Sequence, residues 1–285
     1  MKKHIITIAA AITAGLIAGC GGGGSTSATP ATSATVSGAV ADGYLVGATV
    51  FLDKNGNYQL DAGEPTATTD ANGAYTLTVD PADVGKYPIV AMAVKGVTID
   101  KDTNQPIQSS YILSMPQDSV SGTVSSNFIS PMSTQIRELM ATGKYTMQQA
   151  MDLMSTKLGL PAGTNMLTNY MANPNSANSQ AMHTAAQNMA SLMGSQMGQV
   201  LTSSGSTTTV DVNRYRGMMG TIFSNMSSIR GSGTTTTTQS TISNLMGTMA
   251  SNLPSIPAGQ PYRNMSTAFR GGMMGSATSG SMMGK

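Results

Sequence analysis

The chain changes character at Ser130-Pro131, and that boundary limits its fold more than any other feature. Upstream, between residues 36 and 128, short runs rich in β-branched and aromatic residues recur: Val36–Val40, Ala48–Leu52, Tyr75–Val79, Ile89–Val94 and Tyr111–Leu113. Asp-Gly, Asn-Gly and Pro-containing breaks separate them at short intervals. Such spacing predicts an antiparallel β-sandwich and argues against a parallel sheet with crossover helices. Asp70-Ala71-Asn72-Gly73 reads as a turn, because Asn-Gly readily supplies positive φ between two strands. Downstream, apolar residues recur at helical spacing. Gln135–Ala141 and Met147–Leu158 predict two helices broken at Thr142-Gly143-Lys144, and a longer helix follows from about Ser179 to Leu201. Asp211–Ile229 and Ser240–Asn252 are further helical candidates, separated by Ser/Thr/Gly-rich connectors.

The ends carry different signals. Lys2 and Lys3 precede an uncharged run from Ile5 to Ala18, the pattern of a secretory signal peptide and too short for a comfortable membrane span. It closes on Ile17-Ala18-Gly19-Cys20, which resembles the lipobox of bacterial lipoproteins; that likeness implies cleavage before Cys20 and a diacylglycerol on its thiol. Gly21 stands where inner-membrane lipoproteins usually have Asp, so the resemblance places the protein in the outer membrane, facing either side. Residues 20–35 are Gly, Ser, Thr, Ala and Pro almost throughout and predict a disordered tether. The expected map is therefore a signal peptide at 1–19, a tether at 20–35, a β-sandwich at 36–128, a Met-rich helical region at 129–253 and a disordered low-complexity tail at 254–285. Charge supports two parts: residues 21–161 hold 7 basic and 12 acidic side chains, whereas 162–285 hold 6 basic against Asp211 alone.

One constellation has clear chemistry. From Asp53 to Glu64, side-chain oxygens recur at loop positions 1, 3, 5, 9 and 12 (Asp53, Asn55, Asn57, Asp61, Glu64), with the Gln59 carbonyl at position 7. This is the spacing by which a curved loop of about 12 residues turns alternate ligands onto Ca²⁺, a hard cation that takes six to eight oxygens. Tyr58 occupies position 6, where an EF-hand has Gly, and the approach through Ala48–Leu52 is a strand, so an opening helix pair is not expected. Read together, Gly47-Ala48-Thr49-Val50-Phe51-Leu52-Asp53-Lys54-Asn55-Gly56-Asn57, Asp61-Ala62-Gly63-Glu64-Pro65 and Thr69-Asp70-Ala71-Asn72-Gly73-Ala74-Tyr75 resemble the SdrB-like, carboxypeptidase-regulatory-like (prealbumin-like) β-sandwich of bacterial surface proteins. The resemblance implies a structural Ca²⁺ held by Asp53, Asn55, Asn57, Gln59, Asp61 and Glu64. It extends less firmly over Phe128–Thr134 and Lys157–Pro161, which are similar to a helical extension of such modules. Asp100-Lys101-Asp102-Thr103-Asn104 has no closing carboxylate and reads as a hairpin turn.

The final part, from Met132, holds 21 of the 24 Met. Thioethers select Cu(I), which raises an alternative function in handling copper or silver. The same i, i+3, i+4 spacing is how an amphipathic helix faces its core, and Met packs flexibly; packing is the expectation for the helical Met, and copper the lesser reading. His183 has no Met one turn away and reads as a polar-face or satisfied histidine. Cys20 is the single Cys, which removes an internal disulfide and Cys-based zinc sites. No Gly-x-Ser-x-Gly elbow stands with a retained histidine, and a net charge of +2 with scattered basic residues argues against nucleic acid. No small-molecule substrate is identified. The expectation is a non-enzymatic outer-membrane lipoprotein that meets the membrane through its lipid and associates with a protein partner of the envelope, or serves as accessory to a larger electron-transfer or secretion assembly.

Overall fold

The computed structural model describes residues 33–122, 127–204, 207–231 and 235–257. The expected signal peptide, Cys20, most of the tether, and the tail beyond residue 257 with its Met-Met-Gly runs at 273–275 and 282–284 lie outside them.

Ten strands come first: β1 Ala34–Val40, β2 Leu45–Val46, β3 Thr49–Leu52, β4 Thr66–Thr68, β5 Ala74–Val79, β6 Ile89–Ala93, β7 Ile99–Asp100, β8 Gln105–Pro106, β9 Tyr111–Met115 and β10 Asn127–Ile129. Helices α1 Pro131–Ala141, α2 Met147–Leu158 and α3 Ala177–Val200 follow. The hairpin β11 Leu201–Ser204 and β12 Thr207–Val210 leads into α4 Val212–Ser224, α5 Met226–Ile229 and α6 Thr236–Asn252. No described helix is long and apolar enough to cross a membrane.

The strands form a sheet of order β4-β3-β6-β9, a sheet of order β10-β1-β5, and the small set β2-β7-β8. Pairing is antiparallel throughout except where β10 runs parallel to β1, Gly38 opposite Asn127. A parallel neighbour needs a crossover rather than a hairpin. Between β9 and β10 the described residues hold the 3₁₀ turn Gln117–Ser119. Strand β10, and with it the parallel pair, is absent from the alternation of short runs in the sequence; Asn127-Phe128-Ile129 is too short to register as a strand.

Gly38 makes the close approach possible. A Cβ at this position would lie 1.7 Å from the Asn127 carbonyl oxygen. The Asn127 amide then secures the junction, donating to the Ser37 and Ser121 carbonyls at 2.8 and 2.7 Å. Gly38→Ala should therefore destabilise the fold by more than the roughly 1–3 kcal/mol usual for overpacking, because the obstacle is backbone. Urea unfolding measures it; a midpoint unchanged from the parent chain would mean that β10 is not held as described.

Burial explains why some runs alternate and others do not. Strand β5 alternates buried and exposed residues, as a sheet with one wet face does. Strand β9 is buried at every position, because α1 and α3 cover it. Helix α1 begins at Ser130, whose side chain caps Ser133 N–H while Ser133 returns the bond, and Pro131 occupies the first turn, where its missing donor costs nothing. Hydroxyls of that first turn also complete β9. Thr134 Oγ1 accepts from the Ser114 amide at 2.8 Å, and Ser133 Oγ donates to the Ser114 carbonyl at 2.7 Å. The Ser/Thr content at the start of α1 thus serves both the cap and the sheet edge.

Helix α2 matches its sequence expectation, with Thr146 and Gln149 forming a capping box and Gly159 closing it at φ 68°. Helix α1 starts four residues earlier than the periodicity predicts, because capping by Ser130 carries it back through Pro131. The helical Met behave as core side chains: Met132, Met154, Met182, Met189, Met193, Met197, Met218, Met219, Met226 and Met249 are all buried. One apolar cluster runs from the strands into the helices without a break at residue 128. Tyr170 and Tyr215 fasten the two regions, donating to the Ala41 carbonyl at 3.0 Å and the Ile112 carbonyl at 2.8 Å.

Candidate functional site

The loop that leaves β3 at Asp53 and reaches β4 after Glu64 is wound on its own polar side chains. Asp53 is completely buried. Its Oδ1 accepts from the amides of Gly56 and Asn57 at 2.8 and 3.1 Å, and its Oδ2 from the Tyr58 amide at 3.2 Å. Asn55 Oδ1 accepts from the Asn57 amide at 3.1 Å, and Asn57 Oδ1 from the Gln59 amide at 2.8 Å. These successive Asx turns bend the chain and bring every second side chain to the inside. Three of the six expected residues meet there: the Asn55 and Asn57 amides both donate to Asp61 Oδ2, at 2.7 and 2.8 Å. Glu64 closes the loop by accepting from the amides of Lys54 at 2.7 Å and Asp61 at 3.0 Å.

The donor set suits a hard divalent cation, since carboxylate and amide oxygens alternate around the turn. Each Asn Oδ1 uses one lone pair in its Asx turn and keeps the second. The departure lies at Asp53, whose Oδ2 faces the Arg137 guanidinium at 3.1 Å. A cation on that carboxylate offsets part of its attraction for another. At Gln59 the backbone amide donates to Asn57 Oδ1. Among the described residues no group of three or more His, Cys, Asp or Glu stands close enough to hold a metal, the two inward Asn being outside that description.

Tyr58 shows why Gly is dispensable at the sixth position. It adopts φ 63°, the left-handed conformation that position requires. Holding a non-Gly residue there costs on the order of 1–3 kcal/mol, whereas burying a large aromatic ring contributes about 3–5; the ring wins. It is fully buried, stacked under the Arg137 guanidinium at 4.1 Å and against Tyr215 at 4.6 Å. Its hydroxyl donates to Glu138 Oε1, whose other oxygen faces Arg216 Nε at 3.4 Å. Burial pushes the Tyr58 phenol well above its ordinary value. The loop is thereby tied to α1 and α4 through Asp53, Arg137, Glu138 and Arg216. Sequence reading found none of these helical partners. One signal was present: a bulky residue at a position demanding positive φ needs a packing partner strong enough to keep it there.

A second cluster gathers around the hairpin β7–β8. As expected, Asp100–Asn104 forms its turn, with Asn104 at φ 54°. The expected satisfied histidine is also found: His183 Nε2 lies 2.6 Å from Asp102 Oδ2, and its ring stacks on Tyr170 at 5.9 Å. Gln187 Nε2 donates to the same carboxylate oxygen at 2.9 Å. Behind the hairpin, buried Asp42 accepts from the Tyr111 hydroxyl at 2.7 Å. Burial, with Asp100 and Asp102 nearby, pushes its carboxyl up to about 7 against the opposing Tyr111 hydrogen bond.

The fold and the loop together define a class no narrower than a β-rich unit of several antiparallel sheets continued by helices and carrying an Asx-wound acidic loop. Comparison with models of known families, with curated proteins and with solved structures finds no match for this chain.

Proposed function

We propose that the chain is a non-enzymatic module of the bacterial cell envelope, a prealbumin-like β-sandwich stabilised by Ca²⁺ in the loop 53–64 and anchored in the outer membrane by lipid on Cys20. Its role is association with another envelope protein. The observation that carries the reading is the convergence of Asn55, Asn57 and Asp61 inside a loop closed by Glu64. In this reading Asn55, Asn57 and Asp61 turn oxygens to the ion, Glu64 completes the shell, the Gln59 carbonyl adds one ligand, and Asp53 contributes while keeping the loop wound. The ion supplies charge that holds four acidic or amide side chains in one small volume. Its role is structural, since the loop ends the β3–β4 hairpin.

The test follows from the different duties of the ligands. Asp53 is buried and holds three backbone amides, so its removal would disturb the fold with or without an ion. Asp61→Asn with Glu64→Gln is the cleaner variant, because the loop keeps acceptors of the same shape. Calorimetric titration of the full chain with CaCl₂ should give a dissociation constant of about 10⁻⁴–10⁻³ M, the range of extracellular sites. The double variant, folded by circular dichroism, should lose that heat. Equal heats in both proteins would remove the calcium role.

A further inference from the structure

A cleft of about 510 Å³ opens beside the acidic loop, lined there by Asp53, Lys54, Asn55 and Gly56 and not by Asp61 or Glu64. Four elements bring a cation to it: the loop brings Lys54, the approach to β6 brings Lys86, α1 brings Arg137 and α4 brings Arg216. Only 10% of the chain is charged, yet four of its 15 Lys and Arg line this one cleft, against two acids, Asp53 and Asp118. Scattered solvation of surface charge does not concentrate cations in this way.

The two arginines are set in place before any ligand arrives. Stacking on Tyr58 and the bond to Asp53 fix the plane of Arg137. Its Nη1 is buried and donates to no partner among the described residues, although a guanidinium has five N–H donors to place. Glu138 steers Arg216 from behind at 3.4 Å, while the side chain stays about one-fifth exposed. At the rim, Lys86 lies over the Tyr87 ring at 5.0 Å, and Lys54 reaches Asp83 at 2.7 Å. The inner carboxylates Asp53 and Glu138 thus orient the two arginines, and both arginines line the cleft. A planar fork with an unmet donor, with two ammonium groups at the rim, is an arrangement that recognises an oxyanion through paired hydrogen bonds.

We propose that this cleft binds an oxyanion, the carboxylate or phosphate group of a small molecule or of a partner's side chain, on Arg137 and Arg216 with Lys86 and Lys54 at the rim. Tyr87 offers an apolar wall for the body of the molecule that bears the group. The oxyanion ligands are the four cations and none of Asn55, Asn57, Asp61 or Glu64; Asp53, which orients Arg137, is the residue the two sites share.

The experiment titrates the full chain with inorganic phosphate, and separately with succinate, in chelator-treated low-salt buffer, following ¹⁵N-arginine and amide resonances. Saturable shifts should appear at the Arg137 and Arg216 side chains and weaken as NaCl is raised. Whichever anion binds more tightly tells phosphate from carboxylate. Lys86→Gln removes an exposed rim charge and should weaken binding several-fold with an unchanged melting temperature. Arg216→Lys keeps the charge but loses the fork and should weaken it about tenfold. Non-saturable shifts, or equal affinity in the parent and both variants, would overturn the proposal.

Discussion

Arg137→Met should lower the stability of the whole fold by about 3–5 kcal/mol, the usual cost of removing one partner from a buried ion pair. The Arg137 side chain is only 10% exposed and its Asp53 partner is fully buried, so solvent cannot take over the lost charge. Asp53 would keep its three backbone amides but lose the Arg137 charge, and Tyr58 would lose the guanidinium lying on its ring. The Met side chain replaces much of the aliphatic stem, which leaves charge as the main quantity removed. Adding Asp53→Asn to this variant should recover part of the loss, since an amide needs no counter-charge. Urea unfolding with both a β-sensitive and an α-helical signal reads the result. The two signals should shift together, because Arg137 joins the loop to α1. A loss under about 1 kcal/mol, or a shift in one signal alone, contradicts the assignment.

The second large effect is a dependence on pH set by Asp42. Its carboxyl is raised from the ordinary 3.8 to about 7 in the folded chain, by burial first and by Asp100 and Asp102 in addition. The folded state therefore holds a proton that the unfolded chain releases. Stability from this group is complete below about pH 4, falls as the pH rises toward 7, and levels off above it. At about 1.4 kcal/mol per pKa unit, the change is on the order of 4 kcal/mol. Asp42→Asn, which imitates the protonated form and still accepts from Tyr111, should abolish most of this slope and be the more stable protein at pH 8. Asp100 is shifted in the same direction by partial burial, so a shallow residual slope is expected. Chemical denaturation at pH 5 and pH 8 decides the matter: parallel pH profiles in parent and variant would refute it.

These two effects rest on groups that look ordinary in the sequence. Asp42 precedes a glycine in an Asp-Gly break, where an exposed turn is the plain reading. It is buried because Tyr111 and the β7–β8 hairpin close over it, contributions from residues about 60 to 70 positions away. Arg137 and Glu138 sit together in α1, a helix with no solvent face along most of its length. The helical pattern predicted the last seven residues of α1 but could not say that both charges would be enclosed. By contrast, the loop 53–64 was legible almost residue by residue. Asx turns use hydrogen bonds two to four residues long, so the oxygen spacing and the bend come from the same short segment. The shared acceptor of Asn55 and Asn57 at Asp61 follows from that local winding.

What the amino-acid order determined by itself is the set of events decided within a few residues: the five main strand runs, the Gly73 turn, the capped ends of α2, the Met faces that become core, and the acidic loop. Tertiary structure alone decided the parallel pairing of β10 with β1 past Gly38, the left-handed Tyr58, the Asp53–Arg137 pair and the placing of His183 on Asp102. The reason is physical. Caps, turns and periodic faces are chosen by φ/ψ sterics and hydrogen bonds of short range, whereas burial of a charge depends on which distant surface closes over it.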